Sequence, residues 1–526
     1  MTIRTLTPAL HVSSQIEPKA VAALAAAGMR SIICNRPDGE EAGQPAAALI
    51  AAEAEARGMR FVHIPVVPGA LTEADGAAMA QALANLPTPV LAYCRSGARS
   101  EQLAVMAAER GTGEGIASFD IVIVGGGSAG IAAAASILKR NRSISLAIIE
   151  PSDDHYYQPG WTMVGAGVFS PESTHRSEGQ LIPRQAKWIK ESVASFDPGK
   201  NRLALGDGRL IAYHVLIVCP GLQLDWGAIT GLTEALGSGG VTSNYRYDLA
   251  PYTDRLVREF AGGRALFTQP PMPIKCAGAP QKAMYLSCHR WEASGVIEKT
   301  SVQFHSAASV LFGVAAYVPA LQNYIDRYGI DLRLESKLVA IDGRAKTAWF
   351  EQRLDGRVES IEARFDMIHV VPPQIAPDCI AKSPLAATSG YMAVDETTLR
   401  HTEHANIFAL GDVCATSNAK TAAAARKQAP VVAINALAAL EGRPPVAAYD
   451  GYGSCPLTVE NGKIVLAEFG YGGKLLPTFP KWLIEGTRPS RLSWLLKERI
   501  LPLVYWHGML KGREWLASPK RLGVGE

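Results

Sequence analysis

The sequence predicts an α/β protein in which two nucleotide-binding sheet domains follow a separate N-terminal α/β domain and precede an amphipathic helical tail. Three observations support this prediction. Short apolar runs typical of buried strands alternate with helical patterns, a glycine-rich loop near residue 125 joins such a strand to a helix, and residues 471–526 combine tryptophans with basic residues. The expected domains are residues 1–110, 117–245, 246–375, 376–470 and 471–526, with 117–245 and 376–470 building one domain from two segments.

The composition is that of a globular protein, with 526 residues, 48% of them hydrophobic and 19% charged. A net charge of +3 is too small to indicate nucleic-acid binding. Eight cysteines are too sparse for a disulfide scaffold, and their spacing predicts no metal site. The first residues lack a signal-peptide pattern, and no apolar run reaches the roughly 18 residues of a membrane span, so a cytoplasmic protein is expected.

The first domain is expected to be an α/β layer structure. Its strands are predicted at 31–34, 61–64 and 90–93, and its helices at 18–27, 46–57 and 72–86. The stretch YCRSGARS follows the last strand and opens a helix, so that Cys94 faces several loop N–H groups and Arg99. These groups favour a thiolate over a thiol, and the loop can also cradle an anion.

Two chemistries use a loop of this kind. Protein tyrosine phosphatases place five residues between cysteine and arginine, whereas rhodaneses usually place four, and Cys94 to Arg99 encloses four. The segments SSQIEP and NRPDGE nevertheless resemble a family related to dual-specificity phosphatases and found in beta-lactamase-hydrolase-like proteins, over about residues 5–108. Sulfur transfer, phosphatase activity and a merely packed thiol are the alternatives for Cys94. Residues 111–115, with three glycines, are the predicted linker.

The central motif is a strand, a glycine-rich loop and a helix between residues 119 and 138. Gly125, Gly127 and Gly130 form G-x-G-x-x-G after a short apolar run. These glycines permit a tight turn, close approach of a pyrophosphate and close packing of helix on strand, while the helix N-terminus attracts phosphate. Glu150 ends the next strand, where an acid accepts hydrogen bonds from a ribose, so a dinucleotide site is predicted.

The rest of this segment adds a loop and a buried strand. The loop 154–161 brings polar and aromatic side chains, among them Gln158, to where a flavin would pass. The run 216–221 is a buried strand that ends in a turn and closes the segment. Cys219 in this run is either a core thiol or a candidate sulfur relay.

The second sheet domain begins like the first but lacks the G-x-G-x-x-G fingerprint motif. After an apolar strand at 263–268 the chain reads QPPMPIKCAGAPQK, which is rich in proline and has one glycine. Such a loop is unsuited to the phosphate-binding turn, so this lobe is a vestigial NAD-binding domain and the flavin obtains its electrons elsewhere. Cys276 is the predicted residue on the side from which the flavin receives its electrons, and its neighbours Lys275 and Lys282 favour a thiolate.

The chain then returns to the flavin domain. A buried strand ends in Gly-Asp, and in FAD proteins of this architecture an acid such as Asp412 binds the ribityl chain. A helix over 421–440 follows. Its start and Lys420 are predicted to stabilise negative charge on a reduced flavin, and Cys414 lies close to the ring by its place in the sequence.

Residues 471–526 form the predicted tail. They contain four tryptophans, and ten basic residues against four acidic residues. Short apolar helices with tryptophan and flanking lysine or arginine suit a membrane interface rather than a span, although a pair of core helices is the alternative. A peripheral position on the cytoplasmic face of the inner membrane is therefore expected.

The motifs HYYQPGW, PIKCAGAPQKAMYLS, GDVCATSNAKTAAA and GYGSCPLT together resemble the sulfide:quinone oxidoreductase family, from about residue 119 to the C-terminus. The resemblance implies FAD as cofactor, sulfide and ubiquinone as substrates and a small thiol such as glutathione as sulfur acceptor. It implies that Cys276 and Cys414 are the redox pair, with Cys219 as a third sulfur. Ubiquinone is expected near Tyr452, Phe469, Tyr471 and the tail. A homo-oligomer is an open alternative to a monomer.

The sequence therefore predicts a sulfide:quinone oxidoreductase fused to a sulfur-handling domain, in which Cys94 can take the sulfur onward. The alternative function is a phosphatase-type module coupled to a flavoprotein NADH:quinone reductase or redox sensor. The missing second fingerprint disfavours the NADH:quinone reductase.

Overall fold

The computed structural model describes residues 3–110 and 116–522. The chain divides into two compact units, one formed by Met1–Phe119 with Lys190–His214 and the other by Asp120–Ile189 with Val215–Glu526. The predicted α/β class is confirmed by the parallel sheets and flanking helices of both units. The predicted linker at 111–115 lies outside the described residues, and the five expected domain boundaries stay a prediction.

The first unit is built on a five-stranded sheet. Its strand order is Ile3–Thr7, Leu10–Ser13, Val90–Tyr93, Ser31–Cys34 and Arg60–His63, in which only the first pairing is antiparallel. Its helices are Val21–Ala26, Ala47–Glu55, Glu73–Asn85 and Ala98–Arg110. The unit also holds the antiparallel strands Val193–Asp197 and Arg202–Leu205, and the latter pairs with the beginning of Leu210–Val218. The predicted elements lie at these positions with small shifts at their ends.

The second unit contains the dinucleotide sheet. Its neighbouring strands are Lys187–Ile189, Leu146–Ile149, Ala117–Val124, Leu210–Val218 and Ile407–Ala409. The helices Ser128–Arg140 and Ala422–Leu440 pack on it and on each other, and their alanine-rich faces are buried in one apolar core. Pro430 lies inside the second of these helices.

A second sheet carries the lobe that lacks a fingerprint. Its strand order is Val241–Thr242, Met367–His369, Gly263–Gln269, Thr300–Ser306 and Asp331–Arg333, with every pairing parallel. The helices Ala250–Glu259, Ala279–Ala293 and Val318–Arg327 accompany it, and Ser336–Asp342, Thr347–Leu354 and Arg357–Arg364 form an antiparallel sheet. The predicted pair of Rossmann-like domains is thereby confirmed.

The chain ends with a hairpin and a series of helical turns. The hairpin strands are Gly453–Glu460 and Lys463–Phe469. Consecutive α, π and 3₁₀ turns follow at Arg491–Leu495, Leu496–Ile500, Leu501–Leu503, Val504–Gly508 and Met509–Lys511. Over the part of the chain that the structure covers, none of the helices has the length and apolar character needed to cross a membrane.

Short elements complete the second unit. They are the strand pairs Asp154–Tyr156 with His175–Ser177, Gln223–Leu224 with Gln374–Ile375 and Ala447–Ala448 with Lys520–Arg521, and the helices Trp161–Val164, Leu232–Ala235 and Asp378–Ala381.

Trp291 anchors the core of the second lobe. Its side chain is 1% exposed, its indole N–H donates to the Val257 carbonyl oxygen at 3.0 Å, and its ring centroid lies 4.8 Å from that of Phe260. We expect Trp291→Ala to lower the free energy of unfolding by about 3–5 kcal/mol, because it leaves a cavity and an unpaired buried carbonyl. Urea titration measures this change. By the same method, Trp482→Ala, at an 84% exposed position, should lower the free energy of unfolding by less than about 0.5 kcal/mol. Equal losses in the two variants would contradict this packing.

Candidate active site

Contacts around the glycine-rich loop leave no room for a side chain at Gly125 and Gly130, two of the three motif glycines. Gly125 has a φ of +103°, and an added Cβ would lie 2.5 Å from the Cys219 carbonyl oxygen. At Gly130 an added Cβ would lie 1.9 Å from the Gly125 carbonyl oxygen. Gly127, at the start of helix Ser128–Arg140, faces open space instead. The loop is therefore a cradle that fits the pyrophosphate of a dinucleotide such as FAD.

Glu150 lies beside the same loop. Its Oε2 accepts a hydrogen bond from the Gly126 N–H at 2.8 Å, and its Oε1 accepts one from the Ser152 N–H at 2.9 Å. These bonds hold the carboxylate at the end of strand Leu146–Ile149, where the sequence predicts the ribose acceptor.

The loop after strand Ile407–Ala409 carries the predicted ribityl acceptor. Burial raises the pKa of the Asp412 carboxyl, and the ammonium of Lys420 counteracts this rise. The Lys420 ammonium donates to the carbonyl oxygens of Asp412 at 2.8 Å and Cys414 at 2.7 Å. Lys420 is 7% exposed, so it both fixes the loop and places a positive charge inside the protein at the start of helix Ala422–Leu440.

A second loop joins this one. The Cys276 N–H donates to the Lys420 carbonyl oxygen at 2.7 Å, and Lys275 forms a parallel β-bridge with Lys420. The Lys275 ammonium donates to Gln158 Oε1 at 2.7 Å, and burial lowers the pKa of Lys275 to about 8. Three segments that the sequence analysis singles out separately, represented by Gln158, Cys276 and Lys420, thus meet in one place.

The Cys276 sulfur contacts a thiol that the sequence analysis does not assign. Its Sγ lies 3.9 Å from the Sγ of Cys455, which is fully buried on strand Gly453–Glu460. The predicted pairing of Cys276 with Cys414 stays a prediction, and the contact between Cys276 and Cys455 offers a second possible pair. Cys455 belongs to the motif GYGSCPLT, but nothing in its local pattern distinguishes it from an inward-facing strand residue.

Close packing of one helix start on one strand brings the two sulfurs together. Helix Ala279–Ala293 follows directly on Gly278, where an added Cβ would lie 2.1 Å from the Leu457 side chain. Any larger residue at position 278 would require the Leu457 side chain to move. Cys276 itself has a φ of +54°, a conformation that is uncommon for residues with a side chain.

Two buried lysines set the charge of the sulfur pair. The hydrogen bond from Cys455 and the charge and hydrogen bond of Lys282, whose Nζ lies 3.1 Å from the Cys276 sulfur, hold the pKa of Cys276 well below its usual value. The same interaction raises the pKa of Cys455, which acts as the donor. Lys497, from the tail, donates to the Pro159 carbonyl oxygen at 2.8 Å, and its burial lowers its pKa to about 7.

Cys414 and Cys219 are placed differently. Both are buried thiols, and burial raises the pKa of Cys414 to about 12 and that of Cys219 also well above its usual value. The Cys219 sulfur approaches the Gly125 carbonyl oxygen at 3.6 Å. Burial disfavours the thiolate form of both sulfurs, and the charge of Lys420 offsets only part of this effect on the pKa of Cys414.

The predicted thiolate loop of the first unit is also formed. Cys94 is fully buried, and the Gly97 N–H donates to its sulfur at 3.1 Å. Burial by itself raises the pKa of Cys94, but hydrogen bonds from the N–H groups of Ser100, Ser96, Gly97 and Arg99 outweigh it and lower the pKa.

The guanidinium of Arg99 already has hydrogen-bond partners within the protein, which disfavours a role in simple phosphate binding. It donates to the Val66 carbonyl oxygen at 2.6 Å and to Glu40 at 2.8 Å, and it is 8% exposed. Asp38, a candidate general acid for a phosphatase, instead accepts a hydrogen bond from the Ala47 N–H at 2.7 Å at the start of helix Ala47–Glu55.

Comparisons with known proteins match two families to two parts of the chain. Residues 2–109 match the family described as Beta-lactamase hydrolase-like protein, phosphatase-like domain, and residues 119–257 match the family described as Pyridine nucleotide-disulphide oxidoreductase. The Beta-lactamase hydrolase-like protein of Agrobacterium fabrum is 45% identical over 83 residues, which are 16% of this chain and 19% of that protein.

The larger part of the chain is similar to sulfide:quinone oxidoreductases. The mitochondrial sulfide:quinone oxidoreductase of Dictyostelium discoideum is 39% identical over 396 residues, which are 75% of this chain and 86% of that protein. The crystal structure of the sulfide:quinone oxidoreductase from Aquifex aeolicus shares the fold, with a TM-score of 0.64 at 17% identity over 77% of this chain and 97% of that chain. The chain belongs to the sulfide:quinone oxidoreductase family of FAD-dependent oxidoreductases and carries a phosphatase-like domain of the beta-lactamase hydrolase-like type before it.

Proposed function

We propose that the protein oxidises sulfide at the Cys276–Cys455 pair and passes two electrons through FAD to a membrane quinone, ubiquinone being the expected one. The observation that carries this proposal is the 3.9 Å contact between the two sulfurs, with the Lys282 ammonium on one of them and the loop of Asp412 and Lys420 alongside. Opposed pKa shifts within one sulfur pair suit disulfide exchange, because one sulfur leaves readily while the other is retained.

In the oxidised pair, linked directly or through a bridging sulfur, hydrosulfide attacks the sulfur held by Cys455. A new S–S bond forms there, the bond to the Cys276 sulfur breaks, and Cys276 leaves as a thiolate. Cys276 is the better leaving group because its pKa is the lower of the two. Lys282 stabilises the departing charge, and re-forming a direct disulfide from the separation seen here needs a movement of about 2 Å.

FAD supplies a two-electron acceptor when it is bound, and the chain offers groups for each of its parts. Gly125, Gly127 and Gly130 would face its pyrophosphate, Glu150 its ribose and Asp412 its ribityl chain. The Lys420 charge and the start of helix Ala422–Leu440 favour negative charge nearby, and Gln158 is held toward the site by Lys275.

The sulfur then leaves through thiols. The persulfide on Cys455 passes its outer sulfur to a small thiol such as glutathione, which forms one S–S bond as another breaks. Cys94 can next attack the outer sulfur of that persulfide, forming a Cys94 persulfide and releasing the free thiol. Its lowered pKa supports this role, since a thiolate is the attacking species.

The tail supports binding at a membrane surface. Exposed apolar side chains line it, and they are accompanied by its excess of basic residues. These side chains are Leu475, Trp482, Leu483, Leu492, Leu495, Ile500, Leu503, Trp515, Leu516 and Leu522. We place the protein on the cytoplasmic face of the inner membrane, with the quinone reaching it near Tyr452, Phe469 and Tyr471.

A cysteine series tests the pair. We expect Cys276→Ser and Cys455→Ser to slow sulfide-dependent reduction of the bound flavin by roughly 1,000-fold or more, because each removes a reacting sulfur. Cys414→Ser is the matched control, since Cys414 is a buried thiol outside the pair, and it should stay within about threefold of the parent. The measurement is anaerobic flavin absorbance with sulfide titrated in. Loss in Cys414→Ser with retention in Cys455→Ser would restore the pairing predicted from the sequence.

The pH dependence tests the tail lysine. With a pKa lowered to about 7, Lys497 is protonated below pH 7 and neutral above it, so its attraction for hydrosulfide fades as the pH rises. We expect kcat/KM, expressed per hydrosulfide, to fall by about tenfold across this step. Lys497→Gln should lower kcat/KM below pH 7 and abolish the step. Lys511→Gln, at an exposed tail position, should keep it, and a step that survives in Lys497→Gln would assign it to another group.

Replacement of Cys94 tests whether the first unit handles only the sulfur product and takes no part in quinone reduction. We expect Cys94→Ser to leave sulfide-dependent quinone reduction within about twofold and to change only the sulfur products, because the first unit lies outside the redox pair. Assays with glutathione persulfide and with an aryl phosphate then separate sulfur transfer from phosphatase activity. Phosphatase activity is a second candidate function of this domain, because residues 2–109 match a phosphatase-like family. Loss of quinone reduction in Cys94→Ser would contradict this separation of quinone reduction from sulfur transfer.

A further inference from the structure

Three buried side chains link the C-terminal segment to the dinucleotide loop. His155 Nδ1 lies 2.8 Å from Glu178 Oε2, and His155 Nε2 lies 2.7 Å from the Tyr505 hydroxyl. Their exposures are 4%, 1% and 4%. The Tyr505 hydroxyl also interacts with Ser128, the first residue of the helix that follows the glycine-rich loop. These contacts form one chain from Ser128 through Tyr505 and His155 to the Glu178 carboxylate.

The other oxygen of Glu178 has no hydrogen-bond partner among the residues that the structure describes. It lies beside the loop, because a Cβ added at Gly126 would be 2.6 Å from Glu178 Oε1 and 2.7 Å from the side chain of Glu150. A buried carboxylate oxygen left without a donor costs roughly 1–3 kcal/mol or more, so this position favours a ligand that donates a hydrogen bond.

The charges around this oxygen identify the class of donor. Glu150 lies close enough to raise the pKa of Glu178 further, beyond the effect of burial. Two neighbouring carboxylates repel a phosphate, whereas neutral hydroxyl groups can donate to both of them. Glu150 already accepts two backbone hydrogen bonds, which leaves Glu178 with the free oxygen.

We propose that Glu178, positioned by His155 and Tyr505, is a second acceptor for the ribose hydroxyls of the adenosine half of FAD. The C-terminal segment thereby contributes to cofactor retention through Tyr505. This inference rests on the proposed use of FAD, and it concerns the binding of the nucleotide rather than the sulfide chemistry.

The test uses the full chain freed of FAD and titrated calorimetrically with ADP, 2′-deoxy-ADP and 3′-deoxy-ADP. We expect the parent to bind at least one deoxy analogue about tenfold more weakly than ADP, since a hydrogen bond to a charged group is lost. Glu178→Gln should bind ADP about tenfold more weakly and discriminate against that analogue by no more than about twofold. Discrimination equal to that of the parent would overturn the proposal.

Tyr505→Phe examines the positioning role without removing the acceptor. We expect it to release FAD severalfold faster from the holoenzyme and to reduce the discrimination between ADP and the same deoxy analogue. Tyr252→Phe is the matched control, because it also loses a tyrosine hydroxyl that is hydrogen-bonded, here to the Gly240 N–H at 3.2 Å. A merely structural role would lower the melting temperature of the FAD-free chain and leave the discrimination unchanged, which would also overturn the proposal. Sulfide-dependent quinone reduction by the parent is scored separately, so failure of the proposed function would be recognised on its own.

Discussion

The hydrogen bond from the Lys282 ammonium to the Cys276 sulfur governs the charge balance of the second unit's active site. Lys282 is 5% exposed, and an isolated ammonium at such a position would lose its proton. Burial lowers the pKa of Lys275 and Lys497, but the pKa of Lys282 is raised, because it alone of the three donates directly to the sulfur. Thiolate and ammonium therefore stabilise each other, and each charge depends on the other being present.

This mutual dependence requires a geometry that several distant segments supply together. The β-bridge between Lys275 and Lys420 fixes the backbone before the sulfur, and the glycine at 278 lets the following helix start approach Leu457. Cys455 is 179 residues from Cys276, and these two contacts accompany the meeting of the two sulfurs. Lys497 adds a third segment, so the tail is part of the electrostatic environment of the sulfur pair as well as a surface element.

The sequence predicts features that are formed by residues close together along the chain, and it does not predict features formed by residues far apart along the chain. The cradle of Gly125, Gly127 and Gly130 is local, so spacing alone predicts it. The contact between Cys276 and Cys455 is not local. The sequence predicts a pairing with Cys414, which follows Asp412 closely, whereas the hydrophobic pattern around Cys455 indicates only an inward-facing strand position. His155 and Tyr505, 350 residues apart, likewise carry no pattern that would connect them.

The two units lower the pKa of a thiol by different means, and this difference bears on how sulfur moves. Cys94 relies on backbone N–H donors, which are fixed dipoles that neither titrate nor leave. Cys276 relies on a lysine and a neighbouring thiol, so its pKa changes as soon as Cys455 becomes bonded to another sulfur. A sulfur pair that cycles between oxidation states needs the responsive arrangement, because leaving and attacking roles alternate there. In the proposed sulfur transfer, a thiol that only accepts and returns a sulfur atom needs the constant arrangement, and the loop around Cys94 would provide it.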